Sequence, residues 1–479
     1  MLRIAAVLLA AAVMPTAAAA KDLVFSGEIT GADHQSYKPV PFEVPAGVER
    51  ITVTLTYDKS NKTVVDLGIW DPRRFRGWSG GTRDRFTIAA SDATPGYLAG
   101  DLPAGRWRVM LGVPNARPGS RAAYRVAVHF DRGERHDATA AIADTPLNPA
   151  AGWYRGDLHM HDANSDGSCQ SQAGKRVPCP LFRTVGAAAA AGLDFIAVTD
   201  HNTTAHFGGL RELQPYFDKL LLIPGAEITT FGGHANIFGP RRFVDFRVGS
   251  ADVRDVRALE HDVAAAGAIL SINHPALPSG ELCMGCGWVW PQTDWRGVSA
   301  VEVVNATNVE GPLAGIGFWY ARLNEGHRLT GIAGSDNHDP DAPSGKAPIG
   351  RPTTAVHAPQ LSTSGILQGI RDGNVFIDVT GTRTRLLEVE ARSGSARAVM
   401  GGTLAVRGEV AVRAHVVDTP GATAELVLNG EVQLRRPITE TDAVAAFQLK
   451  APCGWTAVNL RDGAGHLVLI GNPIYLQCR

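Results

Sequence analysis

The feature that most constrains the fold is a change of hydrophobic period along the chain. From Lys21 to about Asp144, short period-two runs such as Ile51–Tyr57 (ITVTLTY), Trp107–Leu111 and Tyr124–Phe130 alternate with Gly- and Pro-bearing turns. Successive side chains of a strand point to opposite faces, so such runs bury one face only and predict an antiparallel β-sandwich. Beyond a Pro-containing linker at Thr145–Gly152 the pattern alters. Apolar runs at Asp157–His161, Phe195–Asp200, Leu220–Glu227, Ala268–His274, Ala300–Asn305 and Leu329–Asp336 predict strands, and Phe182–Ala191, Ser250–Ala266 and Leu313–Gly326 predict helices between them. Alternation of this kind predicts βα units around a mainly parallel sheet or barrel. After about Thr380 period two returns in Arg385–Glu390, Val410–Val417 and Ala424–Gly430, the last ending in a hairpin-forming Asn-Gly. The expected organisation is multidomain: a signal segment at 1–20, a β-sandwich at 21–144, an α/β domain at 145–380 and a second β-sandwich at 381–479. The full 479 residues are too many for one compact core.

Met1–Ala20 carries one cation at Arg3, an apolar run from Ile4 to Val13 and an Ala-x-Ala ending, the pattern of a secretory signal peptide. No later run is long and uncharged enough to span a bilayer, so a periplasmic or secreted location is expected. All six cysteines follow this segment. In an exported chain they are expected to form disulfides, and proximity suggests Cys169 with Cys179, Cys283 with Cys286 and Cys453 with Cys478 among 15 possible connectivities. Cys283-Met-Gly-Cys286 also has the spacing of a redox or zinc motif, but it supplies only half of a four-cysteine site. Lys plus Arg number 46 against 47 Asp plus Glu, a net charge of −1 that excludes nucleic-acid binding by bulk charge. The basic, aromatic stretch Asp71–Gly81 is either a solvated loop or a place for a sugar or polyanion.

Chemistry gathers in the middle segment. Asp157-Leu-His159-Met-His161 sets two imidazoles two residues apart, on one face of a strand, where both can grip one metal. Asp166 follows in Ser-Asp-Gly, then Asp200 and His201 in Thr-Asp-His, Glu227 in Gly-Ala-Glu, His234 in Gly-Gly-His, His274 in Asn-His-Pro, and Asp336 and His338 in Ser-Asp-Asn-His. Each motif falls at or just beyond the carboxyl end of a predicted strand, where (β/α) barrels assemble their sites. No P-loop, Gly-x-Ser-x-Gly elbow or dinucleotide fingerprint accompanies them.

This ordered set resembles the PHP family, named after polymerase and histidinol phosphatase, over about Trp153 to Thr380. Its export signal and flanking β-domains resemble the branch that includes a bacterial carbamate-insecticide hydrolase. The resemblance implies a distorted seven-stranded (β/α) barrel holding two or three divalent metals. By the same resemblance the ligands are His159, His161, Asp166, His201, Glu227, His234, His274, Asp336 and His338. A first ion would lie at His159, His161, Glu227 and Asp336, a second at Asp166, His201 and His338, and a third at Glu227, His234 and His274. Ser168–Pro180 and Glu281–Trp290 read as insertions over the metal mouth, which set the substrate.

Three carboxylates and six neutral imidazoles carry a formal charge of −3, and three divalent ions would bring the site to +3. That sign favours an anionic, small or polymer-linked ester substrate, and mixed His and carboxylate donors suit Zn, Mn or Fe. The expected activity is hydrolysis of phosphate mono- or diesters by a metal-activated hydroxide. Asp200 is expected to orient the site without being a ligand, and Glu227 to be indispensable. The same ligands would serve a carbamate, ester or amide hydrolase. A third reading, from another class, is a silent barrel whose sandwiches bind glycan or envelope polymer.

Overall fold

The computed structural model describes residues 23–478 apart from 90–92, 95, 132–144, 242, 282 and 343–345. The expected signal peptide and the boundary expected near Asp144 lie outside the described residues. Two antiparallel four-stranded sheets form the N-terminal part. One runs Leu23–Thr30, Arg121–Asp131, Arg50–Tyr57, Arg85–Ala89, and the other Ser36–Val44, Gly105–Asn115, Val64–Trp70, Phe75–Trp78. Period two explains the packing: Ile51, Val53 and Leu55 turn inward with Val109, Leu111 and Trp107. Burying each such aliphatic chain contributes about 1.5–3 kcal/mol.

The Asp71–Gly81 stretch is divided: Pro72, Arg73 and Arg74 are exposed as a solvated loop would have them, whereas Asp71 and Phe75–Ser79 are buried in this framework. The Arg76 guanidinium is fully buried, pairs with Asp71 at 3.1 Å, and donates to the carbonyls of Leu98, Gly100 and Asp101. Its charge is therefore engaged internally and is not available to a polyanion. The same stretch joins the sandwich to the segment that follows, since Trp78 meets Phe246 edge-on at 4.8 Å and Phe75 stacks on Phe243 at 3.9 Å.

In the middle segment seven strands adjoin in the order Thr330–Gly334, Ala300–Asn305, Ile269–Ile272, Gly233–Phe238, Leu221–Thr230, Phe195–Val198, Gly152–Asp157. A parallel bridge between Met160 and Asn337 links the chain just beyond the last of these to the chain just beyond the first. Regular βα alternation does not hold. Gly233–Phe238 is antiparallel to both neighbours, because only Phe231 and Gly232 separate it from Leu221–Thr230 and a parallel crossover needs a dozen residues or more. Five α-helices occur among the described residues: Leu181–Ala190, Phe207–Leu213, Val256–Ala265, Ile316–Asn324 and Thr363–Asp372. The helix expected from Ser250 starts later, where the Asp255 carboxylate accepts from the Ala258 N–H and caps it. It then buries Val256, Leu259 and Val263 at helical spacing. Ser362 caps Thr363–Asp372 in the same way, and Gly373 ends it with φ 70°.

The sheet does not stop at the middle segment. From Gly152–Asp157 it continues through Thr353–Ala358 and Val375–Asp378 to Leu467–Gly471, Gly454–Arg461, Thr423–Leu428 and Glu431–Pro437. A second sheet, Ala396–Val399, Leu386–Ser393, Glu409–Val417, Asp442–Lys450, covers it, with Val389, Val412, Leu426 and Phe447 between. Asn472 seals the junction: its side chain accepts from the Gly331 N–H at 2.7 Å and donates to the carbonyls of Gly331 and Val375. The cysteines pair as proximity suggests, with Cα separations of 4.9 Å for Cys169–Cys179 and 5.6 Å for both Cys283–Cys286 and Cys453–Cys478. No helix among the described residues is long and apolar enough to cross a membrane.

Candidate metal centre

The nine residues singled out in the sequence as ligands converge on one site, at or beyond the carboxyl ends of the parallel strands and, for His234, at the amino end of the antiparallel Gly233–Phe238. The extended chain leaving Gly152–Asp157 turns His159 and His161 inward, while Met160 between them packs on Val185, Ile196 and Val198 behind the sheet. Glu227, 1% exposed, lies at the centre. Its Oε2 is 3.3 Å from His159 Nε2, 3.5 Å from His161 Nε2 and 3.0 Å from His201 Nδ1. Its Oε1 is 3.2 Å from His234 Nδ1 and 3.4 Å from His274 Nε2. Asp336 Oδ1 stands 3.3 Å from both His159 and His161, and Asp166 Oδ1 is 3.3 Å from His338 and 3.7 Å from His201.

Protein groups do not satisfy this cluster. His159 Nε2, His161 Nε2 and Glu227 Oε2 are buried without a hydrogen-bond partner, which is costly unless something else takes their lone pairs. Donors bound to one tetrahedral ion at the usual bond lengths lie about 3.3 Å apart, and the separations here match. Four sets of donors fall close enough to share an ion: His161 with Asp166, His201 and His338; His159 with His161 and Glu227; His159 with His274 and Asp336; and His234 with His274 and Cys286. Cys286 is joined to Cys283, so its sulfur is not a thiolate donor. The backbone is shaped to the cluster as well. His274 (φ 25°) and Asp336 (φ 51°) take left-handed conformations that cost L-residues of the order of 1–3 kcal/mol each.

Charge follows from packing. Burial pulls the His201 imidazole down, but Glu227 and Asp166 outweigh it and raise it to about 10. Burial likewise opposes His338, which Asp166 and Asp336 raise to about 9. Burial and the charges of His338 and His201 together push His161 down to about 4. Glu227, which burial would raise, is held well below the carboxylate range by His159 and His201.

The Asp200 carboxylate contacts none of the nine clustered side chains. It accepts from Ser165 Oγ at 2.5 Å and the Asp162 N–H at 3.0 Å, and its second oxygen lies 3.4 Å from His206 Nδ1. It thus anchors the turn between His161 and Asp166. His206, which no sequence motif singled out, sits buried with Nε2 on the carbonyls of Val198 and Gly225.

Two functional carboxylates escaped the sequence reading. Glu302, 2% exposed, faces His159 Nδ1 at 3.0 Å and accepts from the His274 N–H at 2.9 Å. Asp157 accepts from the backbone N–H groups of His159, Ser335 and Gly350. The available signal was a lone Glu inside the apolar run Ala300–Asn305, since acids are rarely buried unless paired. Glu302→Gln is expected to keep the fold and lower metal affinity by about 10–100-fold, as for other groups that orient a ligating imidazole. Unchanged affinity in a competitive chelator titration would exclude that role.

A cavity of about 260 Å³ opens on the cluster, bordered by Asp166, His201 and His234. Its opposite wall comes from the N-terminal sandwich, through Tyr37, Asp66, Trp78 and Thr82. The two expected insertions flank the centre: Ser168–Gln170 pairs with Arg176–Pro178 beside His338, and the Met284 carbonyl faces His234 Nε2 at 3.2 Å.

Fold and site together define a mixed α/β protein of several sheets and few helices, with a buried histidine and carboxylate cluster suited to divalent metal ions. No family model and no curated protein matches the chain. Among solved structures it is similar to a two-domain protein from Bacteroides vulgatus containing a predicted PHP-like metal-dependent phosphoesterase. That likeness is 18% identical, covers 71% of this chain and 98% of that one, and has a TM-score of 0.39. It is also similar to a proposed metal-dependent phosphoesterase from Bifidobacterium adolescentis, at 16% identity over 40% of this chain and 89% of that one, with a TM-score of 0.29. At these scores neither likeness identifies a family.

Proposed function

We propose that the protein is an exported metal-dependent phosphoesterase acting on phosphate mono- or diesters, with residues 145–380 forming a distorted (β/α)7 barrel of the PHP kind between two sandwiches. The observation that carries the reading is the cluster of three carboxylates and six imidazoles around the unpartnered Glu227 Oε2, His159 Nε2 and His161 Nε2. The three cysteine pairs support an oxidising compartment.

The nine residues would hold two or three ions of Zn, Mn or Fe, which when bound supply Lewis acidity toward ester oxygens and a lowered pKa for water. The chain's own groups do the positioning. Glu227 places one oxygen toward His159, His161 and His201 and the other toward His234 and His274, which fixes the spacing of the two halves. Thr229 Oγ1 at 2.6 Å sets the His201 ring plane, and Glu302 sets that of His159. His201 and His338 remain partly exposed, so the anionic end of a substrate approaches on their side.

The test is a chromogenic panel of phosphate monoester, phosphate diester, carboxylic ester and aryl carbamate, with metal supplied and Glu227→Ala as control. Phosphate ester turnover lost in the variant is the expected result. Turnover confined to the carbonyl substrates would reassign the same centre to carbamate or ester hydrolysis. No metal-dependent turnover would favour a binding protein.

A further inference from the structure

The N-terminal sandwich does more than brace its neighbour, because it walls the cavity in front of the metal cluster. We infer that Asp66 is a specificity-determining residue and that the substrate carries a positive charge on its alcohol portion, held against Asp66 while the ester group faces the cluster. The inference rests on the phosphoesterase reading and adds to it the class of alcohol.

Three observations carry it. The first is composition of the wall. Tyr37 of the sandwich stacks on Phe231 at 5.0 Å, and Trp78 and Phe246 pack edge-on beside them, so part of the cavity wall is a firmly packed set of aromatic rings. The second is hydrogen-bond accounting. Thr82 donates to the Ser79 carbonyl, Ser79 Oγ is engaged with Tyr97, Thr230 donates to the Gly233 carbonyl, and both ends of the Asn202 amide bond to Thr229. The Asp66 carboxylate, in contrast, accepts no hydrogen bond and makes no ion pair among the described residues; it is half-buried, and its strand Val64–Trp70 holds it in the wall through the ladder to Gly112. Burial raises the Asp66 carboxyl to about 7 against the pull of His201, and a cation bound beside it would hold it ionised. The third is polarity along the cavity. Asp166, His201 and His234 mark the metal end and Asp66 the sandwich end, so a second anionic group on the substrate would meet like charge. A volume of about 260 Å³ lies just below the roughly 300–1,000 Å³ usual for ligand pockets, which selects a compact molecule.

The decisive comparison is choline against 3,3-dimethylbutan-1-ol, the same shape without the charge. Isothermal titration of the full-length protein with zinc supplied is expected to show choline binding at least about ten-fold tighter, with the difference lost in Asp66→Asn. In turnover, the kcat/KM ratio of phosphocholine to 3,3-dimethylbutyl phosphate is expected to fall by a similar factor in Asp66→Asn, through KM. Equal binding of the two alcohols by the unmodified protein overturns the inference without any variant, as does a preference that survives Asp66→Asn. A fall in kcat for both esters alike, with the binding preference intact, also overturns it by moving Asp66 into the chemical step. Asp66-dependent choline binding without turnover of any phosphate ester would refute the phosphoesterase reading and leave the assignment of the cavity standing.

Discussion

Glu227→Ala is expected to reduce turnover by more than about 100-fold, beyond the upper range for residues that merely orient a ligand. The reason is position: one carboxylate faces five imidazoles, three through Oε2 and two through Oε1. Its removal leaves the His201 imidazolium of the metal-free protein without its main partner and takes from His159 one of three facing carboxylates, and breaking a buried pair costs about 3–5 kcal/mol. Metal content by elemental analysis should fall with activity. Glu227→Gln, which keeps the volume and the contact to Asn273, separates charge from packing. Turnover of the alanine variant at the unmodified rate would sink the proposed function.

Metal binding should release protons and tighten steeply with pH. Without metal, His201 and His338 titrate at about 10 and about 9, so both are protonated at pH 7, and carboxylates also raise His159 and His274. A ligating imidazole must be neutral, so each proton has to leave, and affinity rises until the pH passes these values. Stability of the metal-free protein runs the other way. The folded pKa values of His201 and His338 lie above the unfolded 6.5, so their contribution is full below 6.5 and disappears as pH rises through 9 and 10. With metal at 100 to 1,000 times its dissociation constant, binding adds about 2.7–4.1 kcal/mol to stability. Calorimetry in two buffers of different ionisation enthalpy measures the protons directly. Fewer than one proton released per ion would contradict the electrostatics described above.

What the sequence revealed and what it hid divides along physical lines. The nine clustered residues were legible because strand ends deliver them one motif at a time, and the two sandwiches because period two survives in runs such as Ile51–Tyr57. The antiparallel Gly233–Phe238 was not, since four to six apolar residues look alike in either direction and only the two-residue connection tells them apart. Glu302 was hidden because its meaning depends on His159, 143 positions away. Asp66 was hidden for the same reason, as nothing in the period-two pattern of its strand marks which sheet face will meet another domain. Local chemistry reads directly from sequence, whereas contacts closed by tertiary folding do not.

The amide of Asn472 has a consequence for how the chain acquires its shape. Because that one side chain completes the edge of Thr330–Gly334 and ties it to Val375, the segment carrying the cluster lacks part of its scaffold until a residue 141 positions beyond Gly331 has docked against it. Such distant closure slows folding and favours completion after synthesis over folding piece by piece. An ion taken up by the cluster would then be gained after the C-terminal sheet has docked.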